Sequence, residues 1–279
     1  MAIDEEQSVR HGTKGWPTLR PVPAKTLAPD VRIHGDAALP TLVYLPGLHG
    51  DWTLLTRFRR AVAGRVRLVE ITYPRWTRES LHEQAALIDA VLAAHGVDRG
   101  WVLAESFGSQ VAWPLVGGHG RNFRANGLIL AGGFVRHPWL FGVRLARALA
   151  RHLPIRVMHL NLRVLLHLAR LWHRNDPETL ASLAEFAARR TEEDREAACH
   201  RLDLIATSDL RPLAAQARIP VYFVTGLLDL IVPWPPVRSW LRRNCPGWKG
   251  DHVLGLADHP VLTSAPRATA KIVLMWMRA

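Results

Sequence analysis

The sequence predicts an α/β fold: a mainly parallel sheet flanked by helices, with a helical segment inserted late in the chain. Three observations carry that prediction. Short apolar runs alternate with helix-length amphipathic segments from Val31 to about residue 133. Strand signals then disappear between Phe134 and about Ile205, and return at Ile219-Pro220-Val221. Lastly, the residues with chemistry to offer follow apolar runs, and parallel sheets gather ligands beyond the carboxyl ends of their strands.

Taken in order, residues 1 to 30 are rich in Pro, Gly and charge and read as an N-terminal arm with no chemistry. Val31 to His34 is a short strand, and Thr41–Leu45 is a buried-type strand entering the glycine-rich loop Pro46-Gly47-Leu48-His49-Gly50. Trp52 to Ala63 reads as a helix carrying Leu54, Leu55, Phe58 and Val62. Val66–Ile71 is a strand; Ser80-Leu81-His82-Glu83 is a capping box opening a helix through Leu87, Ile88, Val91 and Leu92 that Gly96 ends. Trp101–Ala104 is a strand, and a helix follows through Val111, Ala112 and Leu115, with Pro114 expected to kink or shorten it. Gly127–Gly132 is the next strand. Helices are then expected around Phe141–His152, Pro154–Arg174 and Pro177–Arg190, and from Thr191 onward. After the strand at Val221–Val224, a last helix over Ala268–Met277 should pack through Ile272, Val273, Met275 and Trp276. The division expected is an arm over 1–30, a core over 31–133 and 206–279, and a helical insertion over 134–205.

Bulk properties exclude several classes. With 279 residues and 48% hydrophobic content the chain can bury a substantial core. Cys199 and Cys245 lie far apart without ligand spacing, which points to reduced thiols and a cytoplasmic setting. The acidic N-terminus, Met1 to Gln7, lacks the apolar stretch of a secretory signal, and no apolar run is long enough to cross a bilayer. The formal net charge is +12, yet no nucleic-acid module is present and the cations are not interleaved with stacking aromatics. The 14 histidines are scattered, with no His-Glu-x-x-His or paired Cys/His spacing, so no metal site is expected.

The chemistry centres on Ala104-Glu105-Ser106-Phe107-Gly108, a serine between strand and helix with a small residue two positions away on each side. Such a turn pushes the hydroxyl off the sheet edge, and the small flanks let neighbouring backbone pass. A serine that merely caps a helix would look much the same. Further on, Val221–Val224 leads through Thr225-Gly226-Leu227-Leu228 to Asp229, and Ala257-Asp258 leads to His259. Serine, acid and histidine in that chain order, behind a glycine loop, resemble the α/β-hydrolase family from about Val31 to the C-terminus. Ala104 departs from the usual first glycine of Gly-x-Ser-x-Gly.

The resemblance implies Ser106 as nucleophile, His259 as its base and Asp229 as the acid that orients the imidazole. Asp258, Asp251 and Asp209 are rivals for the acid; Asp258 adjoins His259, so its side chain diverges from the ring. The resemblance also implies an oxyanion hole from the amides of Leu48 and Phe107, a helical cap over 134–205, and no cofactor. Family members that act on halides and epoxides use an aspartate nucleophile, so a serine implies esters, thioesters or related acyl groups.

The inserted segment is unusually basic: eight arginines, five histidines and no acidic residue lie between Arg136 and Arg174. On a helix from Pro154, residues Arg156, His159, Arg163, His167, Arg170 and Arg174 share one face. A solvated face explains this, as does docking of an anionic partner: an acidic acyl carrier protein, a CoA ester or an anionic membrane surface. The leading expectation is a serine ester or thioester hydrolase with a small-molecule acyl substrate. A carrier- or CoA-ester hydrolase recruited by the basic cap is the first alternative. A ligand-binding or sensor protein with slow or no turnover is the second.

Overall fold

The computed structural model describes residues 28–119, 122–152, 156, 157, 167 and 177–279. Seven strands form one sheet in the order β1-β3-β2-β4-β5-β6-β7. They are β1 (Asp30–His34), β2 (Thr41–Leu45), β3 (Arg67–Thr72), β4 (Arg99–Glu105), β5 (Arg124–Ala131), β6 (Val221–Gly226) and β7 (Trp248–Leu254). Only β1 runs antiparallel, pairing with β3 from Asp30↔Thr72 to His34↔Leu68; the other neighbours are parallel.

Period-two alternation divides the sheet's side chains between two layers. Val43, Leu45, Val69, Ile71, Val102, Ala104, Leu128, Leu130, Val221 and Phe223 pack on one face. Leu42, Tyr44, Leu68, Trp101, Leu103, Ile129, Ala131, Tyr222 and Val224 pack on the other. Both faces are covered, so the central strands read as continuous apolar runs. The first face is covered by α2 (Leu81–Ala94), α3 (Gly108–Pro114) and α8 (Trp234–Asn244), whose Ile88, Leu92, Val111, Val237 and Leu241 are buried there. The second is covered by α1 (Thr56–Val62) and α9 (Pro266–Trp276), through Phe58, Val62, Ala270 and Val273. Each large apolar side chain so buried contributes about 1.5–3 kcal/mol.

Local chemistry sets the element ends. Ser80 Oγ accepts from the Glu83 amide and the Glu83 carboxylate accepts from Ser80 N at 2.8 Å, the capping box read in the sequence. The helix expected from Trp52 is split, because residues Thr53–Leu55 wind as a 3₁₀ turn before α1. Pro114 is the last residue of α3, and Leu115–His119 continue with wider π-type winding. A proline there withholds one amide from the helical ladder. At the C-terminus, Ile272, Val273 and Trp276 are buried as expected, but Met275 is 57% exposed and Leu274 takes the inward place. Met275 lies two residues from Val273, which on a helix is about 200° around the axis.

Between β5 and β6 the chain leaves the sheet, as the loss of strand signal predicts. The described helices there are α4 (Leu140–His152), α5 (Pro177–Ala188) and α6 (Glu192–Thr207), followed by the short α7 (Arg211–Ala214). The helix expected from Pro154 to Arg174 lies outside the described residues except for Arg156, Val157 and His167, of which Arg156 and His167 are exposed. The arm over 1–27 lies outside them as well. Both cysteines are free thiols, and no helix among the described residues is long and apolar enough to cross a membrane.

The topology fixes where a site can form. The chain moves from β2 outward to β3, then returns past β2 to β4. The connections after β2 and β4 therefore depart in opposite directions, opening a crevice at the carboxyl ends of those two strands. The glycine loop follows β2 and Ser106 follows β4.

Candidate active site

Ser106 is the sole non-glycine residue with positive φ among the described residues, at 49°. A side chain in that region stores about 1–3 kcal/mol of strain, which persists only when surrounding contacts over-determine it. Here they do. Ser106 N donates to Ala131 O at 2.9 Å. Ser109 Oγ donates to Ser106 O at 2.6 Å, and Ser109 Oγ in turn accepts from Phe134 N at 2.9 Å. Gln110 Nε2 and Trp113 Nε1 both donate to Phe134 O, at 2.8 and 3.3 Å. The first turns of α3 are thereby tied to the segment leaving β5. Gly108 sits directly against the backbone of β2: a Cβ there would clash with Leu45 O and come within 2.8 Å of Pro46 O.

The acid arises from a different turn. Asp229 follows β6 and is 5% exposed. Its Oδ1 accepts from Ile231 N at 3.1 Å and Val232 N at 2.8 Å, and its Oδ2 accepts from Thr225 Oγ1 at 3.3 Å. With amides holding one oxygen, the other is presented to the imidazole: His259 Nδ1 lies 2.8 Å from Asp229 Oδ2. A carboxylate in this role accepts, so Nδ1 carries the proton and donates. That leaves Nε2 as an acceptor, and it lies 2.8 Å from Ser106 Oγ. Gly132, at φ 59°, lets the ring pack closely; a Cβ there would stand 3.1 Å from His259 Nδ1.

All three residues read from the sequence meet, while the rival acids are placed elsewhere. Asp258 is exposed, Asp251 pairs with Arg238 at 2.7 Å, and Asp209 pairs with Arg211 and Arg136.

No backbone carbonyl among the described residues accepts from Leu48 N or Phe107 N. The loop bearing Leu48 presses on the nucleophile: a Cβ on Gly47 would stand 3.5 Å from Ser106 Cβ. Gly50 N donates to Gly47 O at 2.9 Å, and Tyr73 N donates to Gly50 O at 2.8 Å.

Around this centre lie groups the sequence did not disclose. Tyr44 OH donates to Glu105 Oε2 at 2.5 Å beneath the elbow. Burial pushes the Glu105 carboxyl up from its ordinary range, and the Tyr44 hydrogen bond only partly opposes it. His49 is exposed on one side and meets protein on the other. Its ring meets Phe186 edge-on at 4.8 Å between centroids. Burial, reinforced by the Arg190 charge, pushes its pKa down to about 4. Arg190 and Arg201 reach in from the helical stretch, and no signal in the sequence separated them from other arginines. Among the described residues no group of three His, Cys, Asp or Glu side chains is placed to hold a metal ion.

The comparisons speak to the architecture. No family model matches the chain, and no curated protein matches its sequence. Solved structures do match. An enol-lactonase from Burkholderia xenovorans superposes with a TM-score of 0.70 at 17% identity, over 90% of this chain and 96% of that one. An esterase from Exiguobacterium antarcticum gives 0.72 at 12% identity, over 90% and 96%. An alpha/beta hydrolase enzyme from a Medee basin deep-sea metagenome library gives 0.69 at 13% identity, over 90% and 94%. This chain has the α/β-hydrolase fold. Within that fold the crevice at β2 and β4 holds the glycine loop and Ser106, and the turns after β6 and β7 bring Asp229 and His259 to it.

Proposed function

We propose that this α/β-hydrolase-fold chain is a serine hydrolase of carboxylic esters or thioesters that works through an acyl-enzyme. The observation that carries the reading is the unbroken relay from Ser106 Oγ to His259 to Asp229, with 2.8 Å at each step. Ser106 Oγ attacks the acyl carbon as His259 Nε2 takes its proton, and Asp229 stabilises the imidazolium. The amides of Leu48 and Phe107 receive the charge that develops on the acyl oxygen. The alcohol or thiol leaves with the proton from Nε2. Water, deprotonated by the same nitrogen, then releases the acid. Every step uses this chain's own groups, so the mechanism calls on no cofactor.

Apolar side chains near the acid and base support a substrate with apolar groups. Leu228, Leu230 and Ile231 beside Asp229 are 53%, 85% and 60% exposed, and Leu256 ahead of His259 is 96% exposed. Solved neighbours bear the names esterase and enol-lactonase, in keeping with acyl chemistry. Within this reading the helical stretch over 134–205 is a cap. Its basic character is proposed to recruit an anionic carrier or membrane surface. Between Arg136 and Arg174, two of the arginines already have partners: Arg136 pairs with Asp209 and Arg147 with Asp203.

A fluorophosphonate probe tests the reading directly. It should label the wild type and not Ser106→Ala, and activated esters graded by chain length should be hydrolysed only by the former. Equal labelling of both proteins would sink the assignment and favour a ligand-binding protein.

A further inference from the structure

The loop from Gly47 to Gly50 is held by a cation that comes from the helical stretch. Arg201, in α6, is 3% exposed. Its Nη1 donates to Leu48 O at 2.8 Å and its Nη2 to Pro74 O at 3.1 Å. The guanidinium also lies 5.5 Å from the centre of the Tyr73 ring. Burial lowers its pKa to about 10, so it remains a cation at neutral pH. Beside it, Arg190 is 5% exposed, donates through Nε to Phe186 O at 3.0 Å, and pairs with Asp51 immediately after the loop.

Burying a guanidinium is costly unless hydrogen bonds replace its water. This fold bears that cost at one loop, and the geometry shows what it secures. Leu48 N belongs to the peptide whose carbonyl, Gly47 O, accepts from Gly50 N. Leu48 O belongs to the next peptide and accepts from Arg201. Peptide planes are rigid, so holding both carbonyls leaves the Leu48 N–H one direction to point. Gly50 makes the approach possible: its φ is 74°, and a Cβ there would stand 2.7 Å from the Arg201 nitrogens.

We propose that Arg201 is a positioning residue for the oxyanion hole, fixing the Leu48 amide by clamping the carbonyl of the same residue. The inference rests on the serine-hydrolase reading and says which part of the cap that chemistry depends on. A donor already in place costs no reorganisation when charge develops, so losing the clamp should tell on the chemical step and not on substrate affinity.

The experiment compares wild type, Arg201→Lys, Arg201→Ala and Gly50→Ala on one activated ester, with fluorophosphonate labelling rates and thermal unfolding measured alongside. Lysine keeps the charge but cannot bridge two carbonyls with a planar fork. The expected result is a fall in kcat of about 10²-fold for both Arg201 variants, comparable to loss of one oxyanion donor, with KM changed by less than about twofold. Labelling should slow in parallel, methylguanidinium should restore part of the Arg201→Ala rate, and Gly50→Ala should show the same kcat-weighted loss. Folded Arg201 variants with wild-type kcat and labelling rate overturn the clamp while leaving the hydrolase reading standing. Failure of every Arg201 variant to fold makes the guanidinium a folding element and likewise overturns it. Absence of Ser106-dependent labelling in the wild type overturns the underlying reading itself.

Discussion

The sheet and the helical stretch between β5 and β6 contribute to the same crevice in opposite ways. The sheet supplies groups that would react: Ser106, Asp229 and His259 each stand just beyond a strand, held by backbone contacts from neighbouring turns. The helical stretch supplies buried cations that touch no member of the triad; Arg201 holds carbonyls of the loop after β2 and Arg190 holds Asp51. Reactive groups ride on the part of the fold that topology makes rigid. Supporting groups come from the part that topology leaves free to vary.

The largest effect should come from breaking the sheet's side of this division. Ser106→Ala is expected to lower kcat by about 10⁶-fold, the scale on which a nucleophile acting with its partners is lost, with the unfolding temperature little changed because alanine keeps the Cβ and the positive φ. Hydrolysis of an activated ester checks it. Asp229→Asn should cost about 10⁴-fold by presenting the wrong imidazole tautomer. Asp258→Asn should leave kcat within about twofold, since Asp258 is exposed. The reverse ranking would move the acid to Asp258.

Those two predictions mark what was legible in advance. A mainly parallel sheet follows from apolar runs alternating with helix-length segments, and the triad follows from the family resemblance carried by a serine, an acid and a histidine in that chain order behind apolar runs. Such signals are local, so a linear sequence displays them. Arg201 was not legible, because its role depends on a contact with Leu48 across 153 positions. Within its own helix it is one more arginine in Glu192–Thr207. Glu105 was hidden for a similar reason: it occupies the variable place in the serine motif, and only the Tyr44 hydroxyl on the neighbouring strand shows that it is a buried partner. Met275 was placed inward and Leu274 passed over, when the angle on the helix sends Met275 out.

A third prediction sharpens the comparison at the elbow. Gly108→Ala forces a methyl into the backbone of Leu45 and Pro46 and should destabilise by about 1–3 kcal/mol, the usual range for overpacking. Chemical denaturation would register it as a lower midpoint.

Glu105 offers a smaller effect with a definite sign. Its folded pKa is raised by burial above the usual 4.5, so the folded state binds the proton more tightly than the unfolded chain does. Its ionisation therefore weakens the fold at neutral pH, and that handicap vanishes below the unfolded pKa. Glu105→Gln should be relatively more stable than wild type at pH 7 than at pH 4, by unfolding measurements across that range. A constant difference would mean Glu105 does not titrate between the two states.

The smallest expected effect belongs to the basic stretch. Arg163→Gln with Arg170→Gln should lower the second-order rate on a vesicle- or carrier-presented ester by a few-fold at low salt, the difference shrinking toward 0.1 M salt, where the Debye length is about 10 Å. A small neutral ester should be turned over as before. Unchanged rates and salt dependence on both substrates would make these arginines a solubility feature.

The two small flanks of the serine differ in kind, and that bears on how the motif tolerates change. Ala104 is a fully buried strand residue between Leu45 and Leu130 in register, where a methyl group is simply part of the core. Gly108 faces a carbonyl with no room for one. Drift in sequence is thus open at the position before the nucleophile and closed at the position after it. A pattern that insists on glycine at both places passes over this chain, while one that insists on the second alone retains it.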